Sequence, residues 1–444
     1  MNIDRPGPSW RTAGRSASAV ALVVILVYGV WLAGVWRSGH DVRDFIHMGH
    51  RYIFEPGVKM LFKPDPRYPY ALTNNGYDGQ FSFYIAVDPE NARFHVDRPD
   101  YRYTRILYPM TARLLSFGQL DLIPYMLIVI NWFALAAGTF VVALWLKRKQ
   151  LSPWLALVYG LSPGMLICLQ RDLEEPMAFG LVALGVYLFS YGGRRRITWS
   201  AVAFGLAVLT RESVAVFPVV LGLRILFDAK MGAPSHRPWA RVSRAALLLG
   251  PALAPLAVYK TFLLLWIAPN SPALPPALFP QLVPFAGIFA HWPWDLLRLE
   301  VVVGVTAPAL LCAGVALYAL WKSDAPTEVW LLLANVQLFV VMLNPLTYGN
   351  ILGAARVTTG IVLAAILCLP AFDRVTARNR TWFWISCMLW FAPWPSLVPF
   401  TGRLPTPSDL LFDLGGIFLL WLLAERRMMA PTQAIAYDRE SDET

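Results

Sequence analysis

Apolar runs of about 18 or more residues recur along this chain, and most end in a small cluster of charge. The run at 122–146 stops at Lys147-Arg148-Lys149, and a later one stops at Arg194-Arg195-Arg196. A bilayer needs about 20 apolar residues per spanning helix and covers them without a protein core. Hydrophobic residues make up 57% of the 444 and charged ones only 15%, too little polar surface for a soluble domain. The sequence therefore predicts an all-α protein, a polytopic transmembrane helix bundle.

The net charge of +10 at first suggests nucleic acid. Its basic residues instead sit at the ends of apolar runs, which is the pattern of membrane topology, and no nucleic-acid motif or basic face is present. Cys168, Cys312, Cys368 and Cys387 all lie inside apolar runs with no CxxC pair, so they read as four free, buried thiols. The six histidines show no metal-ligand spacing, and no metal or cofactor is expected.

Basic clusters set the orientation. Arg5, Arg11 and Arg15 place the N-terminus in the cytoplasm, before a run from about Ser18 to Trp36. That run is longer than the apolar part of a signal peptide and reads as an uncleaved first helix. A second helix at about Leu122–Leu146 and a third at about Pro153–Leu169 follow, then a fourth that starts near Pro176. The stretch from Thr198 to Phe227 suits one long helix or a short hairpin; only a hairpin with Arg211-Glu212 at its outer tip leaves both flanking basic clusters inside. The count is about 12 helices, in a cell membrane of the bacterial cytoplasmic type, multi-pass, with both termini cytoplasmic. Residues 1–17 form an N-terminal tail, 18–230 a first module with a large extracytoplasmic loop at 38–118, 231–427 further transmembrane helices, and 428–444 a cytoplasmic tail.

Most polar chemistry lies in that first loop. Asn74-Asn75-Gly76-Tyr77-Asp78-Gly79-Gln80 puts a carboxylate between two glycines, where the backbone turns sharply and a substrate can approach. Asp78 there suits a general base; the competing role is a turn aspartate. Asp88, before Pro89, is a second acid or a chain turn. Phe81–Val87 and Arg105–Phe117 are amphipathic and suit juxtamembrane helices lying on the outer leaflet, with Arg105 toward water or phosphate; packing on the bundle is compatible with this. Charge also collects at Asp172-Leu173-Glu174-Glu175-Pro176, at Arg211-Glu212 and at Arg356, all at predicted outer helix ends. An internal ion pair with Glu212 or Glu175 competes for Arg211, and an interfacial anchor for Arg356. Trp292, Trp294 and Tyr348 suit sugar stacking or an interfacial belt.

At these residues the chain resembles the GT-C superfamily of polytopic glycosyltransferases, which use polyprenyl-phosphate sugars as donors. Tyr77-Asp78-Gly79-Gln80 looks like the Trp-Asp-Gly or Tyr-Asp-Gly signature of the mannosyltransferase-like branch. Asp172–Pro176 is similar to the family's acidic-Glu-Pro pattern, and Leu209-Thr210-Arg211-Glu212 to its hairpin motif. These matches span roughly residues 18–230; the aspartate-glutamate pair of some branches is missing from the first loop. The resemblance implies a GT-C-like bundle that moves a sugar to an acceptor hydroxyl on a glycan, lipid or protein, at the extracytoplasmic face and with inversion. Asp78 would be the base, Arg211 and Arg356 would meet the leaving phosphate, and Glu174 and Glu175 would orient the sugar or hold Arg211. Tyr77, Gln80, Asp88, Arg105, Asp172, Glu212 and Tyr348 complete the expected substrate contacts. Membrane lipid and the polyprenyl-phosphate sugar are the partners, with no nucleic acid. The alternative is a transporter or flippase of lipid-linked envelope intermediates, which would instead place its ionisable residues deep in helices at the midplane.

Overall fold

The computed structural model describes residues 10–49, 75–190, 194–227, 238–267, 280–322, 326–349, 351–375 and 377–397. Residues 1–9 of the expected N-terminal tail, the segment 50–74, and residues 398–444 with the expected C-terminal tail lie outside the described residues. What is described is helical, with no strand. Four helical stretches are long and apolar enough to cross a membrane: Gly14–Arg37, Leu120–Arg148, Pro238–Trp266 and Arg298–Lys322. Two bent pairs raise that number to six if each pair is one span.

Helix α1 (Trp10–Arg37) packs along α4 (Ile123–Arg148). Between them lie α2 (Gly79–Val87) and α3 (Leu107–Leu115). Pro124 opens α4, where its missing N–H is no loss, and Lys147 and Arg148 close it against the negative end of the helix dipole. Indole Nε1 of Trp132 donates to the Ile25 carbonyl at 3.1 Å, and the Tyr28 hydroxyl donates to the Gly160 carbonyl at 2.9 Å, so the helices are tied as well as packed.

Two expectations from the first loop separate. Helix α3 is two-sided: Tyr108, Pro109 and Ala112 are buried, while Leu114 and nearby Phe117 are strongly exposed. Helix α2 corrects the reading of Phe81–Val87. Phe81, Phe83, Tyr84, Ile85 and Ala86 are all buried, so α2 is enclosed by protein on every face and cannot lie on a leaflet.

The expected third helix is broken. The stretch Pro153–Gly160 gives way to α5 (Pro163–Gln170), and the two are bent by 48°. Pro163 has no N–H for the helical ladder, and its ring forces Ser162 into extended backbone. Glu175 and Pro176 then start α6 (Glu175–Ser190), an acid and a proline in the first turn.

Helix α7 (Arg194–Thr210) and α8 (Val216–Phe227) are separated by an extended Arg211 and a 3-10 turn at Glu212–Ala215. Gly205 of α7 lies against Pro251 of α9 (Pro238–Trp266), and Gly222 of α8 lies against Leu249. In one straight helix these glycines would stand about 25 Å apart. They meet neighbouring residues of α9 instead, so the chain doubles back at Arg211, with Arg211-Glu212 at the tip. Only 17% of the apolar window of α9 is buried.

The remaining helices of seven residues or more among the described residues are α10 (Ala307–Lys322), α11 (Thr327–Val336), α12 (Ile351–Val357), α13 (Thr359–Val375) and α14 (Ala377–Phe391). Helices α12 and α13 form the second bent pair, at 41°. The two bends meet: Gly164 of α5 packs so closely on Ala355 and Thr359 that an added Cβ would sit 2.4 Å from each. All four cysteines are buried and free.

Candidate active site

Asp78 stands at the start of α2 but caps nothing there. Its neighbour explains why. A Cβ on Gly79 would lie 1.9 Å from the Arg171 carbonyl oxygen, so the start of α2 docks directly on the Arg171-Asp172 turn. This turns the Asp78 carboxylate toward two arginines. Arg102 Nη2 lies 3.0 Å from its Oδ1, and Arg356 Nη1 donates to its Oδ2 at 2.9 Å.

From this point charges alternate in a continuous chain. Arg356 Nε is 3.2 Å from Glu175, and Glu175 is 2.6 Å from Arg211. Arg211 donates to Glu174 at 2.9 Å, and Glu174 accepts from Arg105 at 2.5 Å. Arg105 then reaches both oxygens of Glu212, at 3.0 and 3.1 Å. At the other end Arg102 donates twice to Asp97, at 2.8 and 2.9 Å. The order is Asp97, Arg102, Asp78, Arg356, Glu175, Arg211, Glu174, Arg105, Glu212, with no two like charges adjacent.

The helix ends build this chain. Glu174 and Glu175 are where α6 begins, Arg211 and Glu212 where α7 turns into α8, and Arg356 is in the last turn of α12. The first loop supplies the rest. All of these charges therefore gather at one end of the bundle. Its middle is buried: Arg105, Glu174, Glu175 and Arg211 have almost no accessible surface. Asp78 is more open, with 26% of its side chain accessible.

The arginines hold the protonation states of Asp78 and Glu212. Burial works to raise the Asp78 carboxyl, but Arg102 and then Arg356 outweigh it and hold it well below the usual carboxylate range. Burial likewise opposes Glu212, and Arg105 overcomes it to hold that acid at about 2. Asp172 is the contrast. It has left-handed backbone (φ 48°), is fully buried, and neither carboxyl oxygen has a hydrogen-bond partner. Burial pushes its carboxyl well up, toward the neutral form.

Of the residues expected from the sequence, Asp78, Arg105, Glu174, Glu175, Arg211, Glu212 and Arg356 meet in this one chain. Arg211 pairs with Glu175, and not Glu212 but Glu174 is its second acid. Tyr77 is adjacent: its ring lies 5.4 Å from the Arg356 guanidinium and 5.9 Å from that of Arg171. Burial pushes its hydroxyl up to about 12.

Three residues expected at the substrate have their polar groups engaged within the protein. Gln80 spends its side chain on backbone, accepting from Gly49 N–H at 3.0 Å and donating to the Asn75 carbonyl at 2.7 Å. It ties Gly49 and Asn75, two separate points of the first loop, to the start of α2. Asp88 ends α2 and accepts from the Asn91 backbone and side chain, at 3.2 and 3.0 Å, which is the turn role. The Tyr348 hydroxyl is buried and donates to the Val340 carbonyl at 2.7 Å. Trp292 and Trp294 pack edge-on against each other, 5.1 Å between ring centres.

Sequence reasoning missed Arg102, Asp97 and Tyr101, whose hydroxyl bonds Arg105. The signal was there in Tyr101-Arg102-Tyr103-Thr104-Arg105, where two arginines at i,i+3 share a helical face. It also missed His47. Its carbonyl accepts from the Tyr77 N–H at 2.9 Å and its ring meets Arg171 at 2.5 Å. Burial, with Arg171 beside it, lowers that imidazole to about 3, so it is neutral.

Chemically the open end offers an ionised carboxylate between two cations, each of them shared with a further acid. Such a group accepts a proton, and the arginines can hold an anion. Compared with known protein families, with curated proteins and with solved structures, the chain matches none.

Proposed function

We propose that the protein is a membrane glycosyltransferase of GT-C type, acting on a polyprenyl-phosphate-linked sugar. The observation that carries this reading is the placement of Asp78, ionised and partly open, beside Arg356. Inverting transfer needs those two groups together. A base takes the proton of the acceptor hydroxyl as it attacks the anomeric carbon, and a cation meets the growing charge on the departing phosphate. Asp78 is the base and Arg356 the cation. Arg211 lies deeper, holding Glu174 and Glu175. It is a positioning residue, as are Glu174 and Glu175 toward Arg356.

The architecture that goes with this reading is a bundle of about 12 spans in the cytoplasmic membrane, both termini inside. The charged end of the bundle then faces outward, where the first loop and the hairpin tip meet. Exposed Leu114 and Phe117 beside that end suit a leaflet surface. The acceptor hydroxyl belongs to a glycan, a lipid or a protein of the envelope.

The test uses purified protein in lipid nanodiscs, a panel of polyprenyl-phosphate sugars and envelope extract as acceptor. Product formation with inverted anomeric configuration is expected. Absence of any product across the panel, with folded protein, overturns the reading.

One observation favours a second reading, a flippase for lipid-linked intermediates. The two bent pairs cross at their breaks, Gly164 against Ala355 and Thr359, and broken helices that meet are a transporter feature. Movement of a fluorescent lipid-linked sugar across liposomes, without chemical change, is its expected result.

A further inference from the structure

The ion-pair chain contains an apparent contradiction. The carboxylate best placed to take a proton has an arginine on each oxygen, and a carboxylate so neutralised is a poor base. One of those arginines has to leave before Asp78 works. They are not held alike. Arg102 is gripped by both oxygens of Asp97, at 2.8 and 2.9 Å, and lies 4.3 Å over the Phe81 ring. Arg356 has a single looser acid behind it, Glu175 at 3.2 Å, and a more distant ring, that of Tyr77 at 5.4 Å. It also sits in the last turn of α12, two residues before the bend into α13. Arg356 is the less anchored partner.

We propose that Asp78 and the donor's phosphate compete for Arg356, so that donor binding itself releases the base. This rests on the transfer reading above. In the resting protein Arg356 closes Asp78. When the phosphate arrives, the guanidinium turns to it, pivoting at the α12–α13 bend, while Arg102 stays with Asp97 and holds Asp78 in place. The groups that face Asp78 in the resting protein are Arg102, Arg356, Tyr77 and, at longer range, Arg105.

The chemistry then balances. The bond between the anomeric carbon and the phosphate oxygen breaks, and its electron pair leaves on the phosphate. A bond forms from the acceptor oxygen to the anomeric carbon, and the acceptor's proton goes to Asp78. The phosphate gains charge as it leaves, so Arg356 holds it more strongly at that stage than at the start. Acceptor alone meets a neutralised carboxylate, which sets the order: donor first, acceptor second.

The test is binding of farnesyl phosphate, a soluble short-chain probe, to the full chain in nanodiscs by calorimetry. Asp78→Asn removes the competitor, so it binds the probe about tenfold more tightly than wild type. In an Arg356→Gln background that gain disappears; in an Arg102→Gln background it remains. Arg356→Lys, which keeps the charge but not the forked reach, gives an intermediate gain and serves if Arg356→Gln fails to fold. Two results overturn the proposal: no tighter binding by Asp78→Asn, or a gain that survives loss of Arg356, which would reduce it to simple charge repulsion. If the gain behaves as expected but wild type transfers no sugar, the shared arginine stands and the transfer reading falls.

Discussion

Asp78 and Arg356 are 278 residues apart in sequence and 2.9 Å apart in space. One comes from the first loop and the other from a short helix far along the chain. They are joined end to end with Glu175, Arg211, Glu174, Arg105 and Glu212, so that the loop, the α6 start, the hairpin tip and α12 share one electrostatic unit. A buried charge without its partner is costly, so each member holds the next in position.

Stability should follow burial along this chain. Glu174 lies between Arg105 and Arg211 and is almost fully enclosed. Glu174→Gln leaves two buried arginines short of a partner and should cost about 3–5 kcal/mol. Asp97 is a third exposed, and Asp97→Asn should cost at most about 1 kcal/mol. Thermal melts of both variants in nanodiscs check the ranking; equal losses would contradict it.

Asp172 should show the opposite sign. Its folded pKa is raised above an ordinary value of 3.8, so it contributes full stability below that value. The contribution is lost as pH rises through the raised one. Asp172→Asn removes that loss. The variant should melt higher than wild type at pH 8, and the advantage should shrink toward pH 4. A lower melting temperature at pH 8 would mean that the carboxylate is paired.

Gly79 should be intolerant of a methyl group. With the Arg171 carbonyl oxygen 1.9 Å from the added Cβ, Gly79→Ala must push α2 off the Arg171-Asp172 turn and carry Asp78 with it. Transfer should fall by about 100-fold, the usual scale for a displacement of about 1 Å at a reacting group. Wild-type activity in Gly79→Ala would show that the docking does not position the base.

The hairpin tip offers a test of orientation. Ser213 is next to Arg211 and accepts from its Nε at 3.0 Å. Ser213→Cys in an otherwise cysteine-free chain should react with a membrane-impermeant maleimide added outside intact cells. Labelling only from the cytoplasmic side would contradict an outward-facing site.

The sequence shows its membrane character and the grouping of charge at helix ends because both are local patterns: apolar length, and acids or arginines where runs stop. The break at Arg211 is legible for the same reason. Other features need partners in space. Phe81–Val87 carries aromatics that suit a membrane surface, yet they are covered by elements distant in the chain. The bend at Pro163 is a one-residue signal inside an otherwise continuous apolar run. Gln80 has a substrate-like side chain, but Gly49 and Asn75 claim both its ends. Arg102 lacked a reason to stand out from its neighbours until Asp78 and Asp97 were seen on either side of it.

The most direct measurement is transfer by purified Asp78→Asn, with a polyprenyl-phosphate sugar and its acceptor, beside wild type. Asn keeps the shape and the contact with Arg102 but cannot take a proton. The account predicts a fall in kcat of about 100- to 10,000-fold, with folding retained and farnesyl phosphate bound about tenfold more tightly. Transfer at near wild-type rate would show that Asp78 is not the base.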